Sequence, residues 1–529
     1  MELSRNNKVD VLIAGAGPAG LMMACQLDLH HISFRIIDKK SSPAIHSGAL
    51  IVHARTLEIL HQVGLAEKAI KAGIIAQTIN LQFNQFIKYS LNIKDIGKGS
   101  TRFPYILMLE QWKTENLLGD FLNEQGHSIE NNTPFLSFRQ ENDLIISKIL
   151  KPDGTIEMIE SRFLIGADGS NSRIRKKLNI PFPGKTQQSS LFITDCESQL
   201  TLPSCEISFS FCNEFTSALF PLRGNRWRID GLIPVIQYKE LNFEHVKNFF
   251  SAKNHLGLEI QHPQWFSAFR SQSRCANSFR LKRCFLIGDA AHVHSPVGAQ
   301  GMNTGIQDAH NLAWKLAYSI RGKATENLLD TYEEERRPLV LNIIRYTDLA
   351  YKLMTSNFFL IRFSRLKIIP LFMPMFLSYV QRYSGLRNRL FTSLSGIGIK
   401  YKHSFLSCST TSDNFPHLAP SPGDRLPYVT YQDNGNLHTL YDGLNSSTFN
   451  LFIFGRKVIP ASLQTVVNKY KDVISVIYIA KEVGTQRVFK KLGIMNEGCY
   501  LIRPDHFIAW RSQDFNALSF GNFLQKFLK

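Results

Sequence analysis

Glycines and acids at fixed spacing in this chain fit the recognition of a phosphate-linked ligand. Val9 to Gly20 reads VDVLIAGAGPAG. Val9 to Ala14 is an apolar run of the kind that forms a buried parallel strand. Gly15, Gly17 and Gly20 follow in G-x-G-x-x-G spacing. Gly15 permits a tight turn, Gly17 lets the backbone approach a pyrophosphate, and Gly20 lets the next helix pack closely on the strand. Pro18 and Ala19 open that helix, whose free N–H groups attract an anion. A second apolar strand, Ser33 to Ile37, ends at Asp38, with Lys39 beside it. A carboxylate there accepts hydrogen bonds from a ribose hydroxyl. The set fits an adenosine dinucleotide, and a glycine turn in some other fold is the competing reading.

Two later segments narrow the ligand. One is FLIGADGSNSRIR, Phe163 to Arg175, and the other runs from Phe285 to Ala317. In the second, Phe285 to Ile287 reads as a buried strand with Asp289 at its carboxyl end. Gly298, Gly301 and Gly305 make the next loop compact, and an amphipathic helix runs from about Thr304 to Ile320. Its start aims N–H groups and a positive dipole end into the loop. A reduced flavin carries negative charge near N1 and the C2 carbonyl, which that helix start stabilises. A plain NAD dehydrogenase has no need of this late strand, loop and helix, so the dinucleotide is read as FAD.

With these motifs in place, the chain resembles the class A FAD-dependent aromatic monooxygenases. It is most similar to the branch with phenol hydroxylase, polyketide hydroxylases and rifampicin monooxygenase. ARTLEILHQVGL (Ala54 to Leu65), LEQWKTENLL (Leu109 to Leu118), SPGDRLP (Ser421 to Pro427), LYDGL (Leu440 to Leu444) and YLIRPDHFIAWR (Tyr500 to Arg511) carry the resemblance over nearly the whole chain.

The resemblance implies an α/β fold. A Rossmann-like FAD domain of the p-hydroxybenzoate hydroxylase kind spans residues 1–180 and 279–350. An antiparallel substrate sheet spans 181–278, a basic helical lobe 351–406, and a thioredoxin-like domain 421–529. It implies that Gln111 contacts the dinucleotide, that Asp168 and Gly169 face FAD and NADPH, and that Asp289 sits on the ribityl chain. Pro296, Gly301, Met302 and Asn303 belong to the loop facing the isoalloxazine ring, and Arg55 stands near the flavin. For Arg55 and Gln111 the plain alternative is helix-surface structure.

The chain departs from the family pattern twice. Many relatives carry an arginine where this chain has Gly48, and phenol hydroxylase has a substrate-deprotonating aspartate where this chain has Leu50. His53 or His46 is the candidate substitute, against the simpler reading of ordinary loop histidines. No other catalytic side chain is assigned, because the flavin carries the chemistry and the protein supplies position and a dry pocket.

The implied reaction is flavin reduction by NADPH or NADH, reaction with O2 at C4a, and oxygen transfer from the hydroperoxide to an electron-rich ring. The substrate is a phenolic or polyketide-like aromatic. Two alternatives remain: a flavin-dependent reductase of an isoprenoid or quinone-like substrate, and a flavin-binding protein without turnover.

Composition sets the setting. The 529 residues allow two or three domains, and 44% hydrophobic content builds ordinary cores. Eight cysteines lie scattered without a C-x-x-C pair or metal spacing, which reads as reduced thiols in the cytoplasm. MELSRNNKVD lacks the apolar core of a signal peptide, and no stretch has the length of a transmembrane helix. The +18 net charge comes with no nucleic-acid motif, so attraction of anionic NADPH is the reading taken. A homodimer is compatible with the sequence. Between Asp348 and Asp413 there is no acidic residue but nine lysines and arginines, interleaved with aromatics. That stretch reads either as a solvated helical lobe, the simpler view, or as a surface for anionic membrane.

Overall fold

The apolar run before the glycine turn forms the strand Lys8–Ala14, whose last four residues are buried. The computed structural model describes residues 7–42, 48–84, 87–141, 143–197, 203–212, 216–233, 242–245, 247–248, 261–356, 358–407, 415–433 and 435–529. His46 and Cys408 therefore lie outside the described residues. Lys8–Ala14 pairs in parallel with Ile156–Gly166 on one side and Phe34–Ile37 on the other. Ile156–Gly166 continues in parallel to Cys284–Leu286. All three candidate segments thus end at the carboxyl edge of one sheet, where neighbouring strands part and leave a crevice. Two helices cover one face. Pro18–Leu29 starts at the glycine turn, and Gly301–Ile320 packs against it, starting three residues earlier than the sequence reading.

A second sheet lies over the mouth of this unit. Its central strands are Gln261–Cys275, Gly184–Glu197, Arg226–Ile233, Thr216–Leu222 and Glu206–Phe211, each antiparallel to the next. Glu206–Phe211 then pairs in parallel with Thr78–Phe83, so residues before the first expected boundary also join the sheet. The long helix Asn327–Thr355 leads out of the FAD-type unit. It continues into a lobe containing Ile369–Arg382 and Ser384–Leu394.

The C-terminal unit has a four-stranded sheet. Phe449–Phe454 is flanked by parallel Ile474–Ile479 and antiparallel Gly498–Ile502, with Ile508–Ser512 at the edge. The helices Ala461–Lys469, Gln486–Leu492 and Ala517–Gln525 alternate with these strands in the thioredoxin order. Cys499 is buried there, and its thiol faces the Ser512 carbonyl at 3.6 Å. Among the described residues, no helix is long and apolar enough to cross a membrane.

Candidate active site

A cavity of about 550 Å³ opens where the three strand ends meet. Gly15, Gly17, Pro18 and Ala19 form one wall, and Asp38 and Lys39 close one end. Gln111, Asp168 and Gly169 line the side, and Asp289, Gly301 and Met302 line the far end. Residues up to 287 positions apart in sequence therefore share one cleft, because parallel strands deliver their carboxyl ends to the same edge.

The glycines divide by role. Gly15 turns at φ +110°, and a Cβ there would stand 2.2 Å from the Ala167 carbonyl oxygen. At Gly20 a Cβ would stand 1.9 Å from the Gly15 carbonyl oxygen, so this residue serves helix-on-strand packing and does not line the cavity. At Gly17 a Cβ would meet nothing within 4 Å. Its bare backbone caps the Pro18–Leu29 helix and faces the cavity.

The acids are arranged for a polar ligand. Asp38 Oδ2 accepts the Ala16 N–H at 2.6 Å and Oδ1 the Lys40 N–H at 2.8 Å. These bonds orient the carboxylate and leave each oxygen a further lone pair. Asp168 Oδ2 accepts the Arg173 N–H at 2.7 Å, while its Oδ1 is buried without a partner among the described residues. Asp289 opens onto the cavity from deep within the protein, and burial raises its carboxyl pKa. Gln111 donates to Glu115 at 2.8 Å, which turns its amide along the cavity wall. Unpaired acceptors at Asp168 and Asp289, bare amides at Gly17 and the Gly301–Ile320 helix start fit a dinucleotide with hydroxyl-bearing sugars and a central pyrophosphate.

Several expected residues are placed elsewhere. Arg55 does not reach the cavity. Its guanidinium pairs with Glu58 at 2.8 Å and donates to the Asp505 carbonyl at 2.7 Å, tying its helix to the C-terminal unit. Asn303 is a brace behind the cavity: its amide donates to the Ile51 and Ala299 carbonyls, each at 2.8 Å. Its oxygen accepts the His53 N–H at 2.9 Å and the Thr56 hydroxyl at 2.7 Å. His53 Nε2 lies 3.1 Å from the Gly298 carbonyl, and burial lowers its pKa to about 4. A neutral imidazole donating from Nε2 to that carbonyl makes His53 a clasp on the 296–298 turn. Pro296 accepts the Ala299 N–H at 2.9 Å in the turn that His53 clasps.

Other site-shaping residues escaped the sequence reading. Arg175 donates to the Ala290 carbonyl at 2.8 Å and the Ser170 carbonyl at 2.7 Å, clamping two cavity segments together. Asp308 accepts from Gly288 N–H, His292 Nε2 and Arg336 Nε at 3.0, 2.7 and 2.7 Å, holding the strand end before Asp289. Arg175 stood within a quoted motif, but its targets are set only by folding.

Beneath the second sheet lies a group of different character. Arg228 holds Asp195 through two bonds of 2.7 and 2.9 Å and also reaches the Gly48 and Ala49 carbonyls at 3.3 and 3.4 Å. A guanidinium thus arrives at Gly48 from the sheet. Strand alternation places Asp230 on the same face as Arg228 and Leu232. Leu232 packs with Leu191 and Tyr351, against Val297 of the clasped turn. Asp230 therefore faces the space between the 48–50 segment and the 296–298 turn, beside Ile193 and Ala218. Its Oδ1 is buried without a hydrogen-bond partner among the described residues. Burial pushes its carboxyl up to about 7, against the pull of Arg228. Asp230 thus places one unpaired carboxyl oxygen among largely apolar neighbours.

Comparison with known proteins shows the family. Residues 8–347 match the family model described as FAD binding domain, and residues 419–528 that described as aromatic-ring hydroxylase, C-terminal. A 6-methylpretetramide 4-monooxygenase of Streptomyces rimosus is 33% identical over 521 residues, covering 95% of this chain and 90% of its own. Among solved structures, OxyS anhydrotetracycline hydroxylase from Streptomyces rimosus superposes with a TM-score of 0.76 at 26% identity, covering 98% of each chain. An aklavinone-11 hydroxylase in a ternary complex with FAD and aklavinone shares the fold, with a TM-score of 0.80 at 22% identity over 99% of each chain.

Proposed function

The chain belongs to the FAD-dependent aromatic-ring monooxygenases, and on that premise we propose that it hydroxylates a fused-ring phenol of the polyketide kind, consuming NAD(P)H and molecular oxygen. The observation carrying the substrate reading is the unpaired Asp230 oxygen on the strand face whose Leu232 packs with Val297, read as one wall of a substrate chamber. Bound FAD, once reduced, supplies the activated oxygen. The chain's own contribution is to hold that cofactor, keep water from it and aim the substrate ring.

In this reading Gly17 and the start of Pro18–Leu29 take the pyrophosphate, Asp38 the adenosine ribose, and Asp289 the ribityl hydroxyls. The amides of Gly301 and Met302 face the ring, where negative charge grows on reduction. Asp230 accepts the hydrogen bond of a substrate hydroxyl and thereby raises electron density on the ring. That role suits a chain with Leu50, which takes no proton, at the position of an acid in phenol hydroxylase. The names of the relatives support the same class.

The test is a panel of one- to four-ring phenols given to FAD-loaded enzyme with NAD(P)H under labelled oxygen. The expected product carries one labelled oxygen, with the best coupling among fused-ring compounds. Substrate turnover that proceeds equally without oxygen and incorporates no label rejects the reading in favour of a flavin-dependent reductase.

A further inference from the structure

The helical lobe presents an apolar outer face that none of the described residues covers. Between Phe358 and Tyr383, twelve large hydrophobic side chains stand 38–73% exposed among the described residues. Soluble chains rarely display apolar surface of that continuity without a partner. On the helix Ile369–Arg382 the exposed large hydrophobics are Ile369, Leu371, Phe372, Met375, Phe376 and Tyr379, a single outward stripe at helical spacing. Pro370, Leu377 and Val380 are buried on the opposite side, so the stripe is not this helix's attachment face. The lobe is firmly seated: the Tyr89 hydroxyl donates to the Pro370 carbonyl at 2.8 Å, and Arg365 donates to the Met354 carbonyl at 2.7 Å. An open or misplaced lobe therefore does not account for the exposure.

Charge identifies the occupant. From Asp348 to Asp413 the chain holds nine lysines and arginines and no carboxylate between. Arg365 is used internally. Lys367, Arg382 and Arg389 remain exposed beside the apolar stripe. A second copy meeting this face about a two-fold axis would set the same positive charges against each other with no acid to answer them. Insertion of aromatic and aliphatic side chains beneath anionic headgroups satisfies both features at once.

We propose that the outer face of residues 358–389 docks on an anionic lipid surface. This inference rests on the lobe alone and is independent of the substrate reading. The lobe's inner end carries Tyr351 and Met354 into the group with Leu191, Leu232 and Val297, so docking sets the substrate chamber's wall next to the lipid. An apolar aromatic substrate concentrates in that same phase.

Co-sedimentation of the full, FAD-loaded chain with vesicles decides it. Wild-type protein is expected to pellet with phosphatidylcholine vesicles containing about one third phosphatidylglycerol, and at least about tenfold less with phosphatidylcholine alone or at high salt. The triple variant Leu371→Ser, Phe372→Ser, Met375→Ser loses binding to both vesicle types. Lys367→Gln, Arg382→Gln, Arg389→Gln loses only the preference for anionic lipid. Flavin absorbance and NAD(P)H oxidation in vesicle-free buffer stay at wild-type level in both, which verifies folding. Absence of wild-type binding to anionic vesicles overturns the proposal, as does binding that neither variant weakens. If light scattering instead shows a wild-type dimer that the Leu371–Phe372–Met375 variant splits, without vesicle binding, the face is an interface between copies and the lipid proposal is wrong.

Discussion

At the scale of single residues, two glycines of the same motif make opposite predictions. Gly17 has open space where a Cβ would go and a φ of −79°, which alanine adopts without strain. Gly17→Ala is expected to leave the melting temperature of the cofactor-free protein unchanged while lowering FAD retained through gel filtration. Gly20→Ala drives a methyl into the Gly15 carbonyl and is expected to destabilise the cofactor-free protein by about 1–3 kcal/mol or more. Equal melting behaviour in the two variants would remove the distinction between a ligand-facing and a packing glycine.

Asp230 supplies a second test, with a pH signature. Its carboxyl stands near 7 in the folded chain through burial, while an ordinary aspartate titrates near 4. Between those values the folded state holds a proton that the unfolded chain has released, so this residue's contribution to stability falls as pH rises from about 4 to 7. Asp230→Asn should therefore raise the melting temperature at pH 8. It should also lose the rise in coupled hydroxylation that the wild type shows as pH climbs through about 7. A variant that keeps the wild-type pH profile of product formation would deny Asp230 contact with the substrate.

Between elements, the C-terminal unit is joined to the FAD-type unit by buried charge. Glu335 accepts from Lys315 at 2.8 Å and from Arg503, which also holds Asp505. Trp314 and Asn311 of the long cofactor-side helix donate to Asp505 at 3.2 and 3.4 Å. Burial by itself would raise the Glu335 pKa, but Arg503 and Lys315 outweigh it and hold the carboxyl well below the usual range. Its stabilising contribution is therefore full above about pH 5 and drains away as acid is added below about 4. Arg503→Met leaves buried Asp505 without its cation and Glu335 with Lys315 alone, a loss of about 3–5 kcal/mol. Limited proteolysis should then release the 419–529 unit at neutral pH, whereas Lys323→Ala, which breaks an exposed pair with Asp472, should change stability by under about 1 kcal/mol. Resistance of the Arg503→Met chain to proteolysis would show that apolar packing alone holds the tail.

For the whole molecule, the cavity at the strand ends and the proposed substrate side, which carries Asp230, belong to different sheets, and the turn that His53 clasps and Asn303 braces leads from one towards the other. A ligand pressing on Leu232 and Val297 from the chamber therefore acts on the loop that leads into Gly301. NAD(P)H oxidation by the FAD-loaded enzyme is expected to be slow alone and at least about tenfold faster with the true aromatic substrate, about 1.4 kcal/mol of barrier. Stopped-flow flavin bleaching measures it directly. A reduction rate indifferent to every aromatic that becomes hydroxylated would separate the two sites functionally.

The local features were legible in the chain. Glycine spacing, apolar runs and the acids that follow them are short-range properties, and a parallel strand followed by a tight turn needs little else. They pointed to FAD, and to Asp38, Asp168 and Asp289, which folding brings to the wall of one cavity. Tertiary structure decided what lies across long separations. Asp230 is one polar residue in an alternating strand until Arg228 is anchored on Gly48 and Leu232 on Val297, which leaves its carboxyl buried with one oxygen unpaired. Arg55 reads as flavin-facing by its neighbours in sequence, yet a carbonyl 450 residues away claims its guanidinium. The basic, aromatic stretch reads as a solvated helical lobe or a surface for anionic membrane, and only packing shows that the side chains from Leu371 to Tyr379 face outward because the lobe attaches by its other side. In each case periodicity shows that a helix or strand has two faces, and only packing selects which one is covered.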